Sequence, residues 1–205
     1  MSRTIFRTLS IALPGIAALL LSACDGDDPR LAGQTQYLGG VYGAGAVSTS
    51  APQDTVSYWD GDGVEGKPSV KIKLGEQRAY FYKGGQLVGV SQLSTGREGL
   101  GTPTGNYKIT QKDVNHASSK YGDYVDDADN VVVPNIDNEK DPKPPGTHFK
   151  GAPMPHFMRI VGGVGMHAGY LPGYPASHGC IRMPEFMADN FFKSVSMGTP
   201  VTITN

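Results

Sequence analysis

A cysteine and two histidines lie close together between Gly165 and Pro184, in the segment GMHAGYLPGYPASHGCIRMP. Cys180 is one of two cysteines in the chain, and His167 and His178 are two of its five histidines. Glycine and proline recur through the segment, which predicts a shaped loop and not a regular element. A thiolate can attack an acyl carbon when an imidazole takes its proton and backbone N–H groups face the developing oxyanion. The segment therefore predicts nucleophilic chemistry at Cys180.

The first 24 residues have the pattern of an export signal. Arg3 and Arg7 precede an apolar run over residues 11–21, which is too short to span a bilayer as a helix. The run ends in Leu-Ser-Ala immediately before Cys24, an arrangement that resembles the lipobox of bacterial lipoproteins, in which the cysteine carries lipid after cleavage. We predict a lipoprotein signal peptide over residues 1–24 with lipidation at Cys24, and an ordinary secretory signal is the alternative.

The residue after Cys24 bears on where the protein is expected. In enterobacterial lipoproteins an aspartate at the position of Asp25 resembles an inner-membrane retention signal. We expect a protein anchored on the periplasmic side of a bacterial membrane, with the inner membrane favoured. Acylation of Cys24 would leave Cys180 as a single thiol in an exported protein, where cysteines are usually paired. This favours a reactive role for Cys180 over an inert, buried one.

Residues 25–66 are rich in glycine and small polar residues and predict a flexible tether. Tyr58 and Trp59 either belong to that tether or pack as an aromatic pair on the domain that follows. The chain carries a formal net charge of −1, and its basic residues are scattered. It therefore has no general attraction for nucleic acid, which is not an expected partner.

Residues 67–205 are long enough to form one compact catalytic domain. A helix is predicted from Pro184 to about Val195, with Pro184 in its first turn. Alternating apolar and polar residues predict short strands over residues 69–74, 79–82, 87–93, 106–111, 131–133, 157–161 and 200–204. Many short strands with one or two helices indicate a mostly β domain, a β-sandwich or barrel.

The segment over residues 112–150 is polar and rich in aspartate and proline. So long a connection in a compact domain is either functional or disordered. Two readings stay open, a lid that covers substrate and an insertion without function. The aspartates do not form a calcium-loop pattern, and a solvated surface is expected.

A known family carries the same motif. Ser177-His178-Gly179-Cys180-Ile181-Arg182, with His167 upstream, resembles the active-site motif of the YkuD-type L,D-transpeptidases of bacterial cell walls. Ser94-Thr95-Gly96 and Thr102-Pro103-Thr104-Gly105 resemble two further motifs of that family, so the resemblance runs from about Pro68 to the carboxyl end. It implies a β-sandwich domain and an acyl transfer between peptidoglycan stem peptides.

In the reaction that the resemblance implies, a cysteine attacks the stem-peptide carbonyl that follows an L-centre, and the terminal D-residue of a tetrapeptide donor leaves. An amine from a second stem, or from a protein lysine, then resolves the thioester. The resemblance makes Cys180 the nucleophile and His167 the base and acid, oriented by the backbone carbonyl of Ala168. His178 and Gly179, with the Cys180 N–H, are expected to shape the oxyanion hole.

The remaining site residues have two readings each. Arg182 either binds a substrate carboxylate through paired hydrogen bonds or forms an ion pair that braces the loop. Ser177 more often forms a turn than takes part in catalysis. Tyr170 and Tyr174 either line the donor cleft or pack within the loop. We treat the other histidines as surface or structural residues, namely His116, His148 and His156.

Three alternatives compete with the transpeptidase reading. His167, His178 and Cys180 could bind zinc, but their spacing matches no usual zinc motif, so neither a metal nor a cofactor is predicted. If water resolves the thioester, the protein is an L,D-carboxypeptidase or an enzyme that detaches proteins from peptidoglycan. A non-catalytic wall-binding lipoprotein is the third alternative. A thiol and an imidazole that both titrate would give a bell-shaped pH dependence of kcat/KM.

Overall fold

The computed structural model describes residues 54–205. The predicted signal peptide, the lipidation site Cys24, Asp25 and most of the predicted tether lie outside the described residues. Residues 54–205 contain one helix, α1 (Glu185–Ser194). Its strands are β1 (Tyr58–Trp59), β2 (Pro68–Lys73), β3 (Arg78–Lys83), β4 (Gln86–Gln92), β5 (Gly105–Lys108), β6 (Gln111–Val125), β7 (Val131–Asp137), β8 (His148–Val161), β9 (Val164–Ala168), β10 (Ile181–Met183) and β11 (Pro200–Thr204).

The strands form two sheets, which confirms the predicted mostly β fold. The first sheet has the order β1-β4-β3-β2-β11-β5, and the second has the order β10-β9-β8-β6-β7. The predicted strands over residues 79–82 and 87–93 correspond to β3 and β4, which form a hairpin with Gly84 and Gly85 at φ 58° and 88° in its turn, a conformation that glycine adopts without steric cost. The core lies between the sheets and contains buried apolar residues from both.

The predicted helix is also confirmed. Helix α1 begins after Pro184 and buries Met187, Ala188 and Phe191 against the core. In the described part of the chain no helix is long and apolar enough to cross a membrane.

Trp59 resolves the two readings of the Tyr58–Trp59 pair. β1 pairs with β4, and the Trp59 ring lies 5.1 Å from Phe81 and 6.0 Å from Phe191 between ring centroids. The described end of the predicted tether is therefore packed against the domain at Trp59. The sequence left both alternatives open because one aromatic pair among small polar residues has no periodicity.

The polar segment over residues 112–150 is neither a loop nor disordered, which corrects both descriptions. It consists of most of β6, all of β7 and the start of β8. These strands expose residues on both faces, so the sequence lacks the alternation that marks a half-buried strand.

β6 contains a wide bulge opposite β8. Ala117 pairs with Pro153 and Gly122 pairs with Gly151, so the four residues 118–121 lie opposite the single residue Ala152. The Ser118 hydroxyl accepts hydrogen bonds from the backbone N–H groups of Lys120 and Tyr121 and closes the bulge. At the end of the bulge, Tyr121 stays paired with Asp137 of β7.

The bulge depends on close approach of two backbones at Gly122. A Cβ atom there would lie 2.1 Å from the Lys150 carbonyl oxygen and 2.9 Å from Gly151 Cα. We expect Gly122→Ala to lower the free energy of unfolding by about 1–3 kcal/mol, because backbone must shift to admit the methyl group. Urea unfolding measures the change. Gly101→Ala is the control, since a Cβ atom there meets nothing within 4 Å, and equal effects of the two substitutions would contradict the prediction.

Candidate active site

Two segments hold the Cys180 loop in place. Ser94 exchanges backbone hydrogen bonds with Arg182 at 3.0 Å in each direction, and Ser177 N–H donates to the Thr95 carbonyl at 3.0 Å. The Thr102 hydroxyl donates to the Gly179 carbonyl at 2.8 Å and accepts from Gly96 N–H at 3.0 Å. The S-T-G and T-P-T-G segments singled out in the sequence therefore fix the backbone before β10.

The turn that carries Cys180 is closed by a buried hydroxyl. Ser177 is fully buried, its hydroxyl donates to the Cys180 carbonyl, and it accepts from Gly179 N–H at 3.0 Å. Gly179 has φ 115°, where a side chain would be strained. The prediction for Ser177 as a turn-forming residue agrees with this geometry. Because the Gly179 N–H is used inside the turn, Gly179 shapes the loop through its backbone conformation.

His167 is buried in β9 with a defined tautomer. Its Nδ1 lies 2.8 Å from the Ala168 carbonyl oxygen, which can only accept, so Nδ1 carries the proton. Nε2 is then an unprotonated acceptor, and it is buried without a hydrogen-bond partner among residues 54–205. A nitrogen in this state is chemically able to take a proton.

The sheet brings Cys180 and His167 to one face. β9 and β10 are parallel, with His167 opposite Arg182. Since side chains alternate along an extended chain, Cys180, two residues before Arg182, extends toward the face on which His167 lies. The charge of Arg182 acts on both, because it lowers the pKa of His167 and that of Cys180.

Both groups are neutral at neutral pH. Burial lowers the pKa of His167 to about 3, against the hydrogen bond to Ala168, which raises it. Burial raises the pKa of the Cys180 thiol, while the Gly165 backbone and the guanidinium groups of Arg182 and Arg159 act in the opposite direction. The resting pair is therefore a thiol and an imidazole, not a thiolate and an imidazolium.

This resting state predicts how Cys180 responds to pH. His167 is protonated only near pH 3, so it supplies no positive charge to hold a thiolate at neutral pH. We expect the iodoacetamide alkylation rate to rise continuously above pH 7 and to show no plateau between pH 5 and 7. Measurement in a Cys24→Ala background leaves Cys180 as the only thiol. A plateau at acidic pH would reveal an ion pair and contradict the assignment.

Cys180 opens into a cavity of about 250 Å³. Strand β8 contributes Met154 and Arg159, and the nucleophile loop contributes His178 beside Cys180. One wall comes from β6 and its bulge, namely His116, Ser118, Ser119, Lys120 and Tyr121. The segment that the sequence left open as a lid or an insertion thus lines the space in front of the thiol.

His178 connects the nucleophile loop to this wall. Its ring stacks on Tyr121 with centroids 4.1 Å apart, and Arg97 Nη2 donates to its Nε2 at 3.0 Å. Burial, followed by the charges of Arg97 and Arg182, lowers the pKa of His178 to about 4. His178 is therefore a neutral ring held between two partners.

The surroundings of Arg182 favour the second of its two predicted roles, bracing the loop, over binding a substrate carboxylate. Arg182 is 1% exposed, and its guanidinium donates to the Tyr170 carbonyl at 3.5 Å and the Ala176 carbonyl at 3.4 Å. These two contacts brace the loop through its backbone carbonyl groups. Tyr170 and Tyr174 do not line the Cys180 cavity. The Tyr174 carbonyl instead accepts from the Ser94 hydroxyl at 2.7 Å.

Sequence reasoning missed His116. Its ring stacks on Phe157 with centroids 4.1 Å apart, its Nδ1 lies 3.1 Å from an Asp113 carboxylate oxygen, and it lines the cavity. The available signal in the sequence was an aspartate, Asp113, three residues before His116. This signal is recognisable only once β6 is known to be a strand. His148 and His156 lie near Asp129 and Asp189, as expected of surface or structural residues.

The zinc alternative requires His167, His178 and Cys180 to come together as metal ligands. Across residues 54–205, no three His, Cys, Asp or Glu side chains come together in a group that could hold a metal ion. His167, His178 and Cys180 do not form such a group.

Known structures share this fold. The chain aligns with an L,D-transpeptidase from Mycobacterium smegmatis at 17% identity and TM-score 0.51, over 68% of this chain and 59% of the other. An L,D-transpeptidase in complex with imipenem aligns at 16% identity and TM-score 0.50, over 67% and 58%. An L,D-transpeptidase from Stackebrandtia nassauensis aligns at 18% identity and TM-score 0.49, over 69% of this chain and 57% of the other. The chain thus spans less than two thirds of the length of these proteins, and the likeness shows the fold alone.

No curated protein sequence matches the chain. The family model of the YkuD L,D-transpeptidase catalytic domain matches residues 67–203. This range contains the Cys180 loop, His167 and both segments that brace the loop. The chain belongs to the YkuD family of L,D-transpeptidase catalytic domains.

Proposed function

We propose that this protein is a peptidoglycan L,D-transpeptidase that uses Cys180 to form a thioester acyl-enzyme and transfers the acyl group to an amine. The observation that carries the proposal is the shared face of Cys180 and His167, with His167 Nε2 buried and unprotonated beside an open cavity. Membership of the family supplies the substrate class, the stem peptides of peptidoglycan.

The first half-reaction removes the terminal residue of the donor stem. His167 Nε2 takes the Cys180 proton as sulfur attacks the carbonyl that follows the L-centre, and an S–C bond forms. The Cys180 backbone N–H donates to the resulting oxyanion. The C–N bond then breaks, the imidazolium returns its proton to the leaving nitrogen, and a D-amino acid departs.

The second half-reaction reverses the roles. An amine from a second stem, or from a protein lysine, attacks the thioester while His167 Nε2 accepts its proton. The new C–N bond replaces the S–C bond, and the proton returns to the Cys180 sulfur. The wall formed by β6 borders the space in front of the thioester, and the extent to which it excludes water decides whether an amine or water is the acceptor.

Incubation of the full chain with purified stem tetrapeptides tests the proposal. Mass spectrometry of the products distinguishes crosslinked dimers, which transpeptidation makes, from trimmed tripeptides, which an L,D-carboxypeptidase makes. We expect dimers at high acceptor concentration. Tripeptides alone would establish the carboxypeptidase, and an unchanged tetrapeptide would overturn both.

Carbapenem labelling tests the nucleophile separately from the acceptor. A similar structure contains imipenem. We expect imipenem to add its mass to the wild-type chain and to leave Cys180→Ser unmodified. An adduct of equal yield on Cys180→Ser would place the acylation elsewhere.

We also propose that the chain is exported and lipidated at Cys24, which holds the domain on the periplasmic side of a membrane. The support is the order of positive residues, apolar run and cysteine in the first 24 residues. Radiolabelled palmitate should enter the wild type and not Cys24→Ala, and fractionation should place the wild type with the inner membrane.

A further inference from the structure

Arg159 lies in the same cross-strand row as the nucleophile. On β8 it is directly opposite Gly165 of β9. The parallel pairing of β9 and β10, Ile181 with Met166 and Arg182 with His167, places Cys180 beside Gly165 on the other side. Residues opposite each other in a sheet project from the same face, so Cys180 and Arg159 share a face with a residue that has no side chain between them.

Glycine is required at the middle of this row. A Cβ atom on Gly165 would lie 2.5 Å from the Phe157 ring and 2.7 Å from the Met158 carbonyl oxygen. The backbones of Cys180 and Arg159 are two strand spacings, about 10 Å, apart. The guanidinium and the thiol border the same cavity, and the Phe157 ring occupies the space above the Gly165 backbone.

The Arg159 guanidinium is held in a fixed orientation. Its Nε donates to Gln111 Oε1 at 2.7 Å, its Nη1 donates to the Gly162 carbonyl at 2.7 Å, and it lies 5.1 Å from the centre of the Phe157 ring. Within residues 54–205, Nη2 has no hydrogen bond to protein. A planar guanidinium fixed on one edge presents its other donors without further loss of conformational entropy.

Arg159 also lacks an acidic partner. The second cation of the cavity, Lys120, pairs with Glu139 and lies 3.9 Å from Asp137. In the part of the chain that the structure describes, no carboxylate lies within ion-pair distance of Arg159. Its charge nevertheless reaches the site, since it lowers the pKa of Cys180. An anion that entered the cavity would meet a positioned, uncompensated cation.

We propose that Arg159 binds the carboxylate of the terminal D-residue of the donor stem. The inference rests on the proposed function, because the donor is the peptide that acylates Cys180. That carboxylate is three bonds from the carbonyl carbon under attack, so it must lie within a few ångströms of the thiol. Arg159 thus takes the position that the sequence suggested for Arg182, and it makes a free carboxylate directly after the scissile bond a requirement for the donor.

Binding to the inactive protein tests this assignment without turnover. In the full-length Cys180→Ala chain, we expect calorimetry to show that a stem tetrapeptide with a free terminal carboxylate binds about 10–100-fold more tightly than its C-terminal amide. Adding Arg159→Gln should lower the affinity for the free acid to that for the amide, and the affinity for the amide should not change. Arg159→Lys keeps the positive charge but loses the paired N–H donors of the guanidinium, and it should retain part of the preference for the free acid over the amide.

Two controls make the result specific. A tetrapeptide amidated only on the side-chain carboxylate of its third residue should keep the full dependence on Arg159. Lys150→Gln removes one positive charge from the same strand outside the cavity, and its ratio of acid to amide affinity should equal that of the parent. Urea unfolding checks that each variant is folded.

The outcomes separate this inference from the function. Arg159→Gln could lower the affinities for the free acid and for the C-terminal amide equally, or it could have no effect on the affinity for the tetrapeptide amidated on the side chain of its third residue. Either result would show that Arg159 does not bind the terminal carboxylate, and the inference would be wrong. If the wild-type chain forms neither dimers nor tripeptides from tetrapeptides, the proposed function has failed, whatever Arg159 does.

Discussion

Cys180→Ala is expected to lower kcat/KM for exchange between stem peptides by about 10⁴-fold or more, because removal of a covalent nucleophile eliminates the pathway and leaves only substrate binding. Cys180 is half-buried at the mouth of the cavity, and its Sγ lies 3.5 Å from the Gly163 carbonyl oxygen. Loss of one sulfur atom there should change the unfolding midpoint only slightly. The product to measure is the crosslinked dimer, by mass spectrometry.

The result would carry weight only in a folded variant. Circular dichroism of Cys180→Ala should overlay that of the wild type, and its affinity for the tetrapeptide should persist. Dimer formation at more than one tenth of the wild-type rate in such a variant would exclude the covalent mechanism. It would then favour a domain that binds the wall and carries out no acyl transfer.

His167→Gln should have the second largest effect, a fall in kcat/KM of about 10²–10⁴-fold. The substitution removes the buried nitrogen that accepts the Cys180 proton, while a glutamine amide can still donate to the Ala168 carbonyl. Because burial lowers the pKa of His167 to about 3, the wild-type imidazole stays a base as the pH falls from 7 to 5. Loss of wild-type activity over that range should therefore not follow protonation of His167.

His148→Gln is the matched control for this substitution. His148 is exposed and its Nε2 lies 3.9 Å from Asp129, far from the lining of the Cys180 cavity. Its kcat/KM should equal that of the wild type. If His167→Gln keeps activity within threefold of the wild type, another group must accept the proton, and His116 would be the first to examine.

The sequence was sufficient for the parts of the site that are close together along the chain. The motif over residues 177–182 and the strands with regular alternation required no knowledge of the fold, and the predicted β2, β3, β4 and α1 are confirmed. Ser94, Thr95 and Thr102 were noticed as motif residues, but their hydrogen bonds to the Cys180 loop depend on pairing between distant segments.

The cavity walls could not be predicted in the same way. Tyr121, His116 and Arg159 come from β6 and β8, whose pairing places them near Cys180 although they are far from it in sequence. Arg182 shows the opposite case. Its position in the motif suggested contact with substrate, but the bent chain over residues 169–176 encloses its guanidinium through the Tyr170 and Ala176 carbonyl groups.

In a regular sheet, adding or removing residues within a strand shifts its register with the neighbouring strand, but the bulge of β6 separates these two changes. Toward β8 its ends are fixed where Ala117 meets Pro153 and Gly122 meets Gly151, and the residues between them have no register partner on β8, although Tyr121 pairs with Asp137 of β7. Gain or loss of residues at this point would reshape the space before the thiol without shifting the register on either side. The shape of this cavity wall can therefore change through small insertions and deletions, while the strands that position Cys180 and His167 keep their pairing.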